Sequence, residues 1–107
     1  GPPPADLAAY CTLARQLFDA DALGDALTVR FRRPGDRFRP LGLGGAKKLK
    51  DYFIGLGLTQ GERDRQPLLT ANGDIAWVVV RAVDETVAVT AETQRIWEIE
   101  VEDAPEQ

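Results

Sequence analysis

The chain has 107 residues, enough for one domain that buries a single core without disulfides or metal. With no His and one Cys, Cys11, it excludes a Cys/His zinc site and an internal disulfide framework, and its cysteine usage fits a reducing compartment. The net charge of −4 argues at first sight against a nucleic-acid partner.

Apolar residues three and four apart from Leu7 to Phe18, after Asp6 as N-cap, predict a helix over residues 6–19 that closes before Gly24. Residues 1–26 are expected to be an N-terminal helix and linker, residues 27–102 the domain proper, and residues 103–107 an acidic frayed tail. Leu27, Val29 and Phe31 alternate with Thr28, Arg30 and Arg32, the period of a half-buried strand with the two arginines on its polar face. Pro34-Gly35-Asp36 predicts a turn, and residues 37–45, broken by Pro40 and three glycines, a loop. A short helix is expected from Ala46 to Gly55, with Leu49, Tyr52 and Phe53 on one face and the lysines exposed. Thr59 to Gln66 reads as turn-like. Pro67-Leu68-Leu69 begins a strand, Asn72-Gly73-Asp74 signals a hairpin, and residues 75–80 read as a strand buried on both faces. Two more strands are expected over 86–90 and 95–101, the second with Trp97, Ile99 and Val101 inward. The sum is an α+β domain, a small mixed or antiparallel sheet with a few short helices.

Catalytic groups are missing. There is no His for a triad, and Gly42-Leu-Gly-Gly-Ala-Lys-Lys48 lacks the order of a Walker A loop. The charge, however, is segregated. Between Thr28 and Arg65 ten basic residues stand against four acids, a net +6, while the rest of the chain carries a net −10. Such a domain can present a basic face to phosphate while its acidic remainder keeps it in solution. The plainer alternative is an uneven solvated surface. Arg32, Arg33, Arg37 and Arg39 supply forked donors, Lys47 and Lys48 are expected to open a helix, and Gly35, Gly42, Gly44 and Gly45 let a backbone approach phosphate. Contacts of this kind position an RNA duplex without reading its sequence. Phe38, in the predicted loop, is the aromatic expected to stack on a base, whereas Phe31, Tyr52 and Phe53 sit at core-like phases. Asp36 is expected to cap the turn or to pair with a neighbouring Arg.

Five separated pieces carry a family resemblance. They are Val29-Arg-Phe-Arg-Arg-Pro-Gly-Asp-Arg-Phe-Arg-Pro-Leu-Gly42, Lys47-Lys-Leu-Lys-Asp-Tyr-Phe53, Glu62-Arg-Asp-Arg-Gln-Pro-Leu-Leu69, Ile75-Ala-Trp-Val-Val79 and Val89-Thr-Ala-Glu-Thr93. In order and spacing they resemble the C-terminal, tRNA-binding domain of the tRNA(Ile)-lysidine synthetases. The resemblance implies a parent enzyme, an ATP-dependent ligase that uses ATP and magnesium to attach lysine to the wobble cytidine of an isoleucine tRNA. Its Ser-Gly-Gly-x-Asp-Ser pyrophosphate loop is absent here, so no cofactor is expected in this chain. The domain is implied to grip the tRNA acceptor stem beside the N-terminal catalytic domain of the same protein. That role is carried to Arg32, Arg33, Arg37, Arg39, Lys47, Lys48, Lys50 and Arg63 for phosphate and ribose, with Gly35, Gly42 and Gly45 permitting close approach. The chain departs from the family pattern at Val80, Ala82, Thr86 and Ala88, where part of the expected RNA face is less basic.

Two other readings stand beside this one. One is a protein-interaction or assembly module on this fold, including a homodimer through its apolar sheet. An independent nucleotide-binding enzyme is the third, disfavoured by the missing catalytic groups. No apolar run reaches the length of a membrane span and no signal-peptide pattern is present, so the expected location is the cytoplasm. The chain has no Met and reads as a processed chain or excised fragment, with Gly1-Pro2 compatible with the scar of a cleaved tag.

Overall fold

The computed structural model describes residues 13–102. Its centre is built on the Asn72-Gly73 turn. Both residues take positive φ, 54° and 87°, the backbone that a two-residue hairpin demands. They join two antiparallel strands, residues Leu68–Ala71 and Asp74–Val78, the fifth and sixth in chain order of the eight that the described residues form. In that order the strands are β1 (Leu13–Asp19), β2 (Leu27–Arg30), β3 (Arg37–Phe38), β4 (Lys47–Lys48), β5 (Leu68–Ala71), β6 (Asp74–Val78), β7 (Ala82–Val83) and β8 (Ile96–Glu102). Among the described residues three short α-helices intervene: α1 (Ala20–Leu23), α2 (Leu49–Gly55) and α3 (Gln60–Asp64). The main sheet has the order β2-β5-β6-β7, and two-stranded sheets pair β1 with β8 and β3 with β4, all antiparallel. The expected α+β class, with small sheets and a few short helices, is what forms.

Period two decides which residues share a face. Val29, Leu69, Trp77 and Val83 lie in one row across the main sheet, and Arg30, Leu68, Val78 and Ala82 in the row behind it. The register shifts between Leu69 and Thr70, leaving Ala76 as an extra residue. That bulge lets Ile75 join Val78 on one face although the two stand three apart. Phe18 of β1, Leu23 of α1 and Trp97, Ile99 and Val101 of β8 pack over the Trp77 face. Phe18 meets Trp77 edge-on, with ring centroids 5.8 Å apart. Leu49 and Phe53 of α2, with Phe38 of β3, pack over the opposite face. Full burial of each such large apolar side chain stabilises the fold by roughly 1.5–3 kcal/mol.

The hairpin, the strand from Leu68 and the inward face of Trp97 form as expected. Other expectations fail for identifiable reasons. Residues 13–19 are not helical but form β1, while residues 6–12 lie outside the described residues, as do Cys11 and the tail 103–107. A seven-pair ladder with β8 overrides the local helical spacing, which is only a weak prior. Val29 and Phe31 are exposed while Arg30 is half-buried, because β2 is an edge strand that overhangs its cover. The expected loop 37–45 contains β3, and Pro40 bridges to Asp84. The helix expected from Ala46 begins at Leu49, with Lys47 and Lys48 in β4. The turn-like stretch from Thr59 holds helix α3. The strand expected over 86–90 is instead a single 3₁₀ turn, Glu85–Val87, capped by Asp84.

Candidate nucleic-acid interface

The site begins where β2 ends. Arg33 to Asp36 is a turn closed by the Asp36 N–H donating to the Arg33 carbonyl at 3.2 Å. Pro34 stands second and Gly35 third with φ 84°, the places that a type II turn gives these residues. Asp36 ties this turn to its surroundings. Its carboxylate accepts from Arg30 Nη1 and Nη2, each at 3.0 Å, and from the Arg33 N–H at 2.7 Å. Its carbonyl accepts from the Leu49 N–H at 2.9 Å, which docks α2. Burial alone would push the Asp36 carboxyl up, but the Arg30 and Arg33 hydrogen bonds, with the charges of both arginines, hold it below its ordinary value. The same bond raises the Arg30 guanidinium. Arg30 is therefore committed to the frame, and Asp36 has the structural role expected of it.

The β3–β4 ribbon sets the next cations. Arg37 stands opposite Lys48 and Phe38 opposite Lys47. Phe38 enters the core, so Arg37 and Lys48 lie on the outer side together. Helix α3 brings the last group. Thr59 Oγ1 accepts from the Glu62 N–H at 3.1 Å, and Glu62 Oε1 accepts from the Thr59 N–H at 3.0 Å, a reciprocal cap. The bond from the Thr59 N–H holds the Glu62 carboxyl below its ordinary range. So capped, α3 places Asp64 against Arg32, whose Nε and Nη2 donate to Asp64 Oδ1 at 2.9 and 2.6 Å.

These pieces enclose an open pocket of about 820 Å³. Six cations line it, Arg32, Arg33, Arg37, Lys48, Lys50 and Arg63, together with Gly35, Gln60 and two acids, Asp36 and Asp64. The Arg63 Nε is buried and has no hydrogen-bond partner. Six cations stand here against two carboxylates, which offset the positive lining only in part. Phosphates fit the remainder in charge and in donor geometry.

Four of the residues expected at the site lie elsewhere. The Arg39 N–H donates to Asp84 at 2.7 Å and its guanidinium stands 3.7 Å from Glu85, away from the pocket. Lys47 takes the other side of its ribbon, and Gly42 and Gly45 belong to a separate loop with Leu41 and Leu43. The expected helix N-terminus is also not the device. α2 is short, and its first N–H is already taken by Asp36. The aromatic assignments are exchanged. Phe38 is only 4 % exposed and packs edge-on against Tyr52 with centroids 5.1 Å apart, whereas Phe31 is 57 % exposed beside Arg32. Sequence reasoning missed Gln60 and Asp64. The Thr59-x-x-Glu62 spacing is the signal that could have found their helix. None of Val80, Ala82, Thr86 or Ala88 lines the cationic pocket. Among the described residues no three His, Cys, Asp or Glu side chains stand together as metal ligands. Nor is any described helix long and apolar enough to cross a membrane.

Residues 27–101 match the family described as TilS substrate C-terminal domain. The tRNA(Ile)-lysidine synthase of Clostridium acetobutylicum is 41% identical over 85 residues, which are 79% of this chain and 18% of that protein. The tRNA(Ile)-lysidine synthase of Symbiobacterium thermophilum is 40% identical over 76 residues, 71% of this chain and 16% of that protein. A crystal structure of a TILS C-terminal domain matches with a TM-score of 0.70 and 30% identity, over 99% of this chain and 79% of that one. The chain thus spans less than a fifth of the length of these two synthases.

Proposed function

Because this chain belongs to the TilS substrate C-terminal domain family, we propose that it grips tRNA for a tRNA(Ile)-lysidine synthase whose ATP- and magnesium-dependent ligase chemistry lies outside it. The observation that carries the reading is the convergence of six cations on one pocket in a chain that is acidic overall. Arg32, Arg33 and Arg37 provide forks for phosphate oxygens, and Lys48, Lys50 and Arg63 add charge around them. In this reading the ligand is duplex backbone, with the acceptor stem as the part engaged, and Phe31 stands free to pack on a base or ribose at the rim. The adjoining partner is the catalytic domain of the same protein, and the setting is the cytoplasm.

Titrating the chain with tRNA at low salt tests this. Arg33→Ala and Lys48→Ala should each weaken binding about three- to tenfold and flatten the log–log salt dependence by about one phosphate contact. An acceptor-stem minihelix should compete better than an anticodon stem-loop. A folded chain that binds no tRNA at low salt overturns the proposal. A second reading, an assembly or homodimer module, draws on Leu17 and Ile96, which leave apolar surface on the β1–β8 sheet. It expects a salt-insensitive dimer in sedimentation together with no RNA affinity.

A further inference from the structure

The two carboxylates of the cationic pocket are not alike. Asp36 uses both oxygens, is largely enclosed, and joins β2, the turn and α2. Asp64 uses one oxygen, its side chain is 53 % exposed, and its single partner among the described residues is Arg32. It ends α3, where a carboxylate gains nothing from the partial charges of a helix. Arg32 is half-buried, but a bond to so exposed a carboxylate contributes little to the fold. Yet it fills the Nε–Nη2 edge of Arg32 with an oxyanion, the position in which a phosphate oxygen would sit.

We infer that Asp64 is a built-in competitor for the phosphate that Arg32 would take, and that it sets which polyanions the pocket accepts. The inference rests on the RNA-binding reading above. A ligand that reaches Arg32 must displace the Asp64 carboxylate and then stand beside its negative charge. A rigid duplex holds several phosphates at fixed spacing, so Arg33, Arg37 and Lys48 act on it together and offset that repulsion. A flexible single strand must be ordered before it gains the same contacts, and the repulsion weighs more heavily against it. Asp64 thereby favours structured RNA over loose polyanions without touching a base.

The test compares the unaltered chain with Asp64→Asn, using tRNA and a single-stranded oligouridylate of matched length, each over a range of salt. Removing one negative charge beside a phosphate should tighten binding about three- to tenfold. The gain should be larger for the oligouridylate, so the preference for tRNA falls, and its log–log salt slope steepens by about one as Arg32 becomes available. Asp64→Ser repeats the charge change if the first variant melts early. Weaker binding of both variants would overturn the inference, since Asp64 would then be positioning Arg32, as would an unchanged preference between the two RNAs. If the unaltered chain binds no tRNA, the RNA-binding reading itself fails and this inference with it. If it binds and only the variants disappoint, the inference alone is lost.

Discussion

Phe38 and Phe31 show how little a residue type reveals about its place. Phe38 sits between Arg37 and Arg39, two residues before Pro40, with no apolar period around it. A two-residue strand nevertheless turns its ring into the core against Leu49, Phe53 and Ile75. Phe31 shares the phase of Leu27 and Val29 but lies past the end of an edge strand, where nothing covers it. Phe38→Ala should therefore cost about 3–5 kcal/mol in urea unfolding. Phe31→Ala should stay within about 0.5 kcal/mol. Val80 offers the opposite case, a residue that is strained and barely covered. It takes φ 73° in the turn that the Arg81 N–H closes on the Val78 carbonyl, and it is 75 % exposed. A β-branched side chain there costs roughly 1–3 kcal/mol, more than glycine loses through its greater freedom in the unfolded chain. Val80→Gly should raise stability by about 1 kcal/mol, read as a higher denaturation midpoint. The departure of this position from the family pattern was legible in the sequence, but its meaning lay in a backbone angle that the sequence does not display.

Among elements, those encoded by neighbouring residues were the readable ones. Asn72-Gly73 specifies its own turn, so β5 and β6 followed directly. The Arg33–Asp36 turn was equally plain, and with it the first half of the pocket. The second half depends on α3 meeting the segment after β2, Asp64 to Arg32, across thirty-two residues, a pairing that no local pattern announces. Asp36, the joint between β2, the turn and α2, has a pH dependence that can be worked out. The folded Asp36 carboxyl lies below its ordinary value because Arg30 and Arg33 outweigh its burial. Its ionised form therefore adds stability that is fully present above the ordinary carboxyl pKa and is lost as pH falls through the lower folded-state value. Urea midpoints should decline between about pH 5 and pH 2. Asp36→Asn should be less stable at neutral pH and should show a shallower acid limb. An unchanged acid limb in that variant would assign the decline to other carboxylates.

For the whole molecule, what composition concealed was arrangement. The net charge of −4 points away from RNA, and only the segregation of that charge points back. The structure sharpens segregation into a single pocket, with Arg39 and Lys47 left outside and two acids brought in. The helical reading of residues 13–19 is the largest misreading among the described residues, and it concerns the longest-range pairing there. Strand β1 finds its partner β8 across nearly the entire chain, and a period search within one segment has no means of detecting that.

That pairing also decides how the domain bears load. Leu13 and Glu102 stand opposite each other at one end of the β1–β8 ladder, so tension on the chain at these two points pulls at a single edge of the sheet. Hydrogen bonds perpendicular to the strands then open in succession, one rung after another, instead of resisting together in shear. Phe18 lies five residues along from Leu13 and is a fully buried side chain that such peeling would reach. Mechanically the domain is a zipper whose slider starts at Leu13, and its opening would strip the cover from Trp77 before it disturbed the cationic pocket on the opposite side of the sheet.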